Sequence, residues 1–132
     1  MVNLILPVLL LSLVSISEGH TFDIFYLPLD AEFYVPPTEE YIVKNGLHLK
    51  MTSEALQLLF GEITQKNAER AQTDDYKRLR IKIVDCATRK SVFITAERQV
   101  VGEGKKYHIQ QKLINDVLNE ILSKVKQYEK KS

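Results

Sequence analysis

Tyr76-Lys77-Arg78-Leu79-Arg80-Ile81-Lys82-Ile83-Val84-Asp85 sets Leu79, Ile81 and Ile83 against Arg78, Arg80 and Lys82, an alternation with a period of two. That period marks a strand with one covered face and one wet face. A polar connector, Cys86 to Lys90, follows. Ser91 to Val101 then resumes the alternation, with Val92, Ile94, Ala96, Arg98 and Val100 opposite Phe93, Thr95, Glu97 and Gln99. The spacing predicts a β-hairpin over 76–101. Its basic face, Arg78, Arg80 and Lys82 joined by Arg98 from the second strand, is the leading candidate binding surface. The competing explanation is the solvated outer face that an antiparallel sheet ordinarily carries, or an edge guarded by charge.

Outward from the hairpin, the preceding chain reads as strand, short helix, strand, helix. Thr21 to Leu27 alternates Phe22, Ile24 and Tyr26 with Asp23 and Phe25, and Pro28 ends it. Leu29 to Val35 is apolar enough for a further short strand, but Pro36-Pro37 bars it from a sheet interior. Thr38 is placed to cap a helix through Lys44, with Glu39 and Glu40 where the helix dipole favours anions. Asn45-Gly46 reads as a left-handed stop. Leu47 to Met51 alternates again, and Thr52 or Ser53 then caps a helix whose apolar stripe is Leu56, Leu59, Phe60 and Ile63, widened by Leu58. Thr64 to Asp75 is polar and reads as a solvated link.

Beyond the hairpin, Gly102-Glu103-Gly104 is a turn and Lys105-Lys106 an exposed pair. From about Ile109 to Tyr128, Leu113, Ile114, Val117, Leu118, Ile121, Leu122, Val125 and Tyr128 recur at spacings of three, four and seven, which predicts a long amphipathic helix. The fold expected is α+β, a two-layer sandwich in which a small antiparallel or mixed sheet is covered by two longer helices.

With 132 residues, 45% apolar and 27% charged, residues 20–132 are expected to form a single domain. Val2 to Ile16 is almost wholly apolar and uncharged and the stretch ends in Ser15-Ile16-Ser17-Glu18-Gly19, the pattern of a signal peptide over 1–19 cleaved after Ser17 or Gly19. Pro7 and Glu18 make it too short for a spanning helix of about 20 apolar residues. The expected location is secreted or periplasmic, with no stable membrane insertion after cleavage.

Cys86 is the only cysteine, so no intramolecular disulfide forms. It is expected to pack as a small apolar group. A Cys86–His–Asp85 nucleophile, with His48 or His108, can be written down, but an adjacent carboxylate opposes thiolate formation. His20, if it became the N-terminus, would offer copper an amine and an imidazole, with His48 and His108 as further ligands. The adjacent carboxylates Glu39-Glu40 and Asp74-Asp75 suit a helix start and a loop. No nucleophile elbow, phosphate loop, paired-cysteine or zinc-protease motif is present. No cofactor or metal is expected.

Net charge is +1, but His20 to Tyr76 holds ten acidic and four basic residues, a net of −6, and Lys77 to Ser132 holds fourteen basic and six acidic, a net of +8. An acidic side and a basic side are therefore expected. Export, and the lack of aromatic side chains among the basic ones, count against nucleic acid. The expected partner is an acidic protein or an anionic envelope polymer. These features point to a small exported non-catalytic binding protein, of the inhibitor or immunity type of a bacterial envelope. The alternatives are an exported copper protein or small enzyme using His20 or Cys86, and a homo-oligomeric envelope protein.

Overall fold

A computed structural model describes residues 20–131. The expected signal peptide and its cleavage points lie outside the described residues. The chain runs β1 (Thr21–Tyr26), α1 (Glu39–Asn45), β2 (Leu47–Thr52), α2 (Glu54–Gly61), β3 (Ala68–Arg70), β4 (Leu79–Asp85), β5 (Ser91–Thr95), β6 (Val100–Gly102), β7 (Lys105–Tyr107) and α3 (Gln111–Lys131). The strands form one sheet in the order β2-β1-β4-β5-β6-β7-β3, and every pairing is antiparallel. The α+β class stands. The sheet is larger than the small one expected, and a two-helix cover does not describe it, because α1 packs on the face opposite α2 and α3.

Both faces bury apolar side chains, unequally. On one, Phe22, Ile24, Leu49, Ile81, Ile83, Val92, Ile94, Val100 and Tyr107 pack against Leu56 and Leu59 of α2 and Ile114, Val117, Leu118, Ile121 and Val125 of α3. On the other, Leu27, Ile42, Leu79, Phe93 and Val101 form a smaller cluster with Phe25, Phe33 and Tyr76. Leu79 and Ile81 thus sit on opposite faces, against strict alternation. The cause is a register shift between them where β4 meets β5; an extra residue at a bulge changes which way the following side chains point.

The hairpin is present but shorter than expected. Ala96 to Gln99 is a turn and not strand, with the Thr95 amide on the Gln99 carbonyl at 2.9 Å and the Gln99 amide on Thr95 Oγ1 at 3.1 Å. Arg98 there has φ +65°. Beyond it, Glu103 (φ +53°) and Gly104 (φ +75°) make the tight connection of β6 to β7, since a two-residue turn between twisted strands favours positive φ at both positions. Lys105 and Lys106, expected as an exposed pair, are half-buried strand residues. The link expected from Thr64 to Asp75 contains β3, paired to β7.

Helix starts follow the sequence. Thr38 Oγ1 accepts the Tyr41 amide at 3.1 Å, and Ser53 Oγ accepts the Leu56 amide at 3.0 Å. The stop of α1 does not: Gly46 is extended, with φ −71° and ψ 156°. Its glycine is required by space, because a Cβ would lie 2.5 Å from the Ile42 carbonyl oxygen. Leu58, expected to widen the stripe of α2, is 58% exposed. The segment expected to add a strand over 29–35 forms none.

Candidate functional site

The four basic residues singled out by the alternation do not share one open face. Lys82 points to the α1 side and pairs with Glu39 Oε1 at 2.7 Å. Arg78 Nε meets Glu97 Oε1 at 2.9 Å. Arg98, in the turn after β5, donates from Nη1 to Asn115 Oδ1 of α3 at 3.0 Å. Arg80 is only 4% exposed. The acidic and basic halves also interleave: Lys106 of β7 lies 3.7 Å from Glu69 and 4.0 Å from Asp75. The separate acidic and basic sides read from the sequence are thus partly consumed inside the fold.

What the structure does bring together is one end of the sheet. The Leu27 amide donates to the Arg80 carbonyl at 2.9 Å and the Ala96 amide to the Arg78 carbonyl at 2.8 Å, which sets the end of β1, the start of β4 and the turn after β5 side by side. Over this end runs the segment from Pro28 to Thr38. It folds Phe33 inward and leaves Tyr34 and Val35 exposed at 109% and 76%. A cleft of about 410 Å³ lies beneath it, lined by Ala31, Glu32, Phe33, Pro36, Pro37, Lys77, Arg78 and Arg80.

Arg80 is the unusual member. Nη1 donates to the Leu79 carbonyl at 3.0 Å and Nη2 to the Ala31 carbonyl at 3.1 Å. The Phe33 ring stands 4.8 Å from the guanidinium carbon, a cation–π contact. Nε is buried with no acceptor among the described residues. Burial, and secondarily the like charge of Arg78, hold its pKa below the usual guanidinium value, while Glu97 acts in the other direction. A buried cation ordinarily has a carboxylate against it; this one has two carbonyls and a ring.

The sequence signal for Arg80 was its place in the alternating strand. That signal gave the residue but the wrong surroundings, because the bulge and the covering segment are not periodic features. Tyr34 and Val35 lie in the stretch whose apolar content suggests a short strand. Their signal was an aromatic and a branched residue held immediately before Pro36-Pro37, where neither helix nor sheet interior can take them.

The thiol has different partners from those considered on sequence grounds. Cys86 Sγ donates to Asp23 Oδ2 at 3.3 Å, and His48 Nε2 contacts Asp23 Oδ1 at 3.0 Å. His48 also stacks on Phe25 at 4.6 Å. Burial pushes the Asp23 carboxyl up, but hydrogen bonds from His48 and Cys86 and the charge of Lys50 outweigh it, leaving the pKa below the ordinary value. The carboxylate stands between thiol and imidazole, whereas an activated thiol needs the base beside it. Asp85, the acid first paired with Cys86, accepts the Ala87 amide at 3.0 Å and shapes the turn.

The three histidines are spread out. His48 lies opposite Phe25, five residues along β1 from His20, or about 16 Å at strand rise. His108 follows β7, four strand positions from β1, or about 19 Å, and contacts Glu69 at 3.4 Å. Among the described residues no group of three or more His, Cys, Asp or Glu side chains is arranged to hold a metal ion. Within the same residues no helix is long and apolar enough to cross a membrane. Compared with known proteins, the chain matches no family model, no curated protein and no solved structure.

Proposed function

We propose that this is a small non-catalytic binding domain, working outside the cytoplasm, that holds a macromolecular partner at the end of its sheet. The inhibitor or immunity type remains the form that suits a short exported chain with no catalytic motif. The observation that carries this reading is the exposure of Tyr34 and Val35 on a segment fixed at both sides by buried residues, Leu27 and Pro37. Large apolar side chains held out together on a soluble surface mark interaction sites, and aromatic anchors dominate the energetics of such contacts. Under the same segment lies Arg80, whose buried Nε–H has no acceptor among the described residues, which favours an acidic partner.

The test is capture of a partner from cell-envelope extract by the full chain and by the double variant Tyr34→Ala/Val35→Asp. Both positions are exposed, so the fold is expected to survive, as circular dichroism would report. Loss of the captured protein is expected, and capture of the same protein by the variant would overturn the reading.

A further inference from the structure

The cleft under the Pro28 to Thr38 segment asks what completes Arg80. A guanidinium carries five N–H donors, and Arg80 uses two of them, on the Leu79 and Ala31 carbonyls. Nε–H is one of three left over, and it is buried. Leaving donors of a charged group unmet away from water is costly, while a carboxylate meets two of them at once in a fork geometry. No carboxylate of the described residues lies within ion-pair distance of Arg80. The neighbouring cations are already matched, Lys77 by Asp74 at 2.9 Å and Arg78 by Glu97 at 2.9 Å. Glu32 also lines the cleft, so the charges there balance overall, and what stays unmet is the donor set of Arg80 and not a net positive charge.

We propose that this cleft is a receptor site for one carboxylate of an acidic segment of the protein partner, with Arg80 as its anchor. This rests on the binding reading above and names the chemistry that reading left open. A monoanionic carboxylate matches the unmet fork of Arg80. A phosphate near dianionic would bring excess charge next to Glu32, which also lines the cleft. Arg80 is 4% exposed and lies against Phe33, so the ring must shift for an incoming carboxylate to reach the N–H edge of the guanidinium. Phe33 belongs to no strand or helix, which leaves its displacement free of any sheet hydrogen bond. The remaining partner side chains then meet Tyr34 and Val35.

The experiment is an NMR titration of the full chain labelled with ¹⁵N-arginine, following the Nε–Hε signals. The probes are a hexaglutamate peptide, inorganic phosphate, and sodium chloride at matched ionic strength. Hexaglutamate is expected to shift the Arg80 signal saturably, with phosphate at least about tenfold weaker, equal to ~1.4 kcal/mol, and chloride without effect. An unmoved Arg80 signal, or equal response to phosphate or chloride, would overturn the site. Arg80→Met is expected to abolish hexaglutamate binding, with a lower melting temperature from the lost hydrogen bonds to the Leu79 and Ala31 carbonyls. Arg80→Lys, which keeps the charge and loses the fork, is expected to bind measurably more weakly than wild type and serves if the methionine variant does not fold. Should hexaglutamate leave Arg80 unmoved while Tyr34→Ala/Val35→Asp still loses its partner, the carboxylate site falls and the binding reading stands. The reverse pattern removes the binding reading and keeps the site.

Discussion

Asp23 illustrates how one side chain can tie three elements. Through His48 it joins β1 to β2, and through Cys86 it reaches the turn after β4. Its pKa is depressed in the folded protein, so its contribution is fully present above the unfolded carboxylate pKa of about 4 and is lost as pH falls through the folded value. Urea unfolding of Asp23→Asn should show about 1 kcal/mol less stability at pH 7 and a flatter fall below pH ~4 than wild type. An acid limb of unchanged steepness would remove Asp23 from that account. Tyr26 and Tyr107 are pushed the other way, foremost by burial, as expected for phenols whose rings belong to the larger core.

At the scale of elements, Ser53 works at two levels. Its hydroxyl caps α2 by accepting the Leu56 amide and also donates to Glu120 of α3. Both partners lie on the face where α2 and α3 meet, and Ser53 is buried. Ser53→Ala should therefore cost about 1–2 kcal/mol in urea unfolding, and combining it with Glu120→Ala should cost less than the sum of the two, because they share one bond. Additive losses would separate the cap from the helix pairing. Much of this level was legible in the sequence: Thr38 and Ser53 as caps, the Leu56 and Leu59 stripe, the stripe of α3 and the strand at Leu47. These are local patterns, and local physics places them. What stayed hidden depends on contacts distant in sequence. β3 and β7 are three residues each, too short for periodicity, and are held by pairing, β3 on β7 and β7 on β6. The bulge before Ile81 follows from the pairing of β4 with β5 and divides a row of residues that looked continuous. The candidate site was half legible for the same reason: Arg78 and Arg80 stood out as charges, but only the fold shows that one is tied to Glu97 and the other buried under Phe33.

Across the whole molecule, one sheet serves two cores of unequal size. Ile121 is fully buried between α3 and the sheet, and Ile121→Ala should cost about 2–5 kcal/mol. Because β4, β5 and β6 contribute to both clusters, unfolding followed in the larger core and at Phe93 should remain a single coincident transition; separate midpoints would show that the second face melts by itself. The sheet also ends on β2, whose outer side pairs with no described strand. His48 and Lys50 are exposed there and work against pairing with another chain. His48→Val/Lys50→Val should make sedimentation depend on concentration, and a variant that stays as monodisperse as the wild type would deny that role to the two side chains.

Gly46 is the whole connection between α1 and β2, and it is wedged against the Ile42 carbonyl and the backbone of Tyr26. A joint of that kind has no slack. The helix is braced to the sheet as a strut is to a plate, with Thr38 at its far end receiving the segment that carries Phe33, Tyr34 and Val35. A load applied at that rim is therefore expected to reach β2 along α1. Slowed or quickened amide exchange in β2 is where such a load would register.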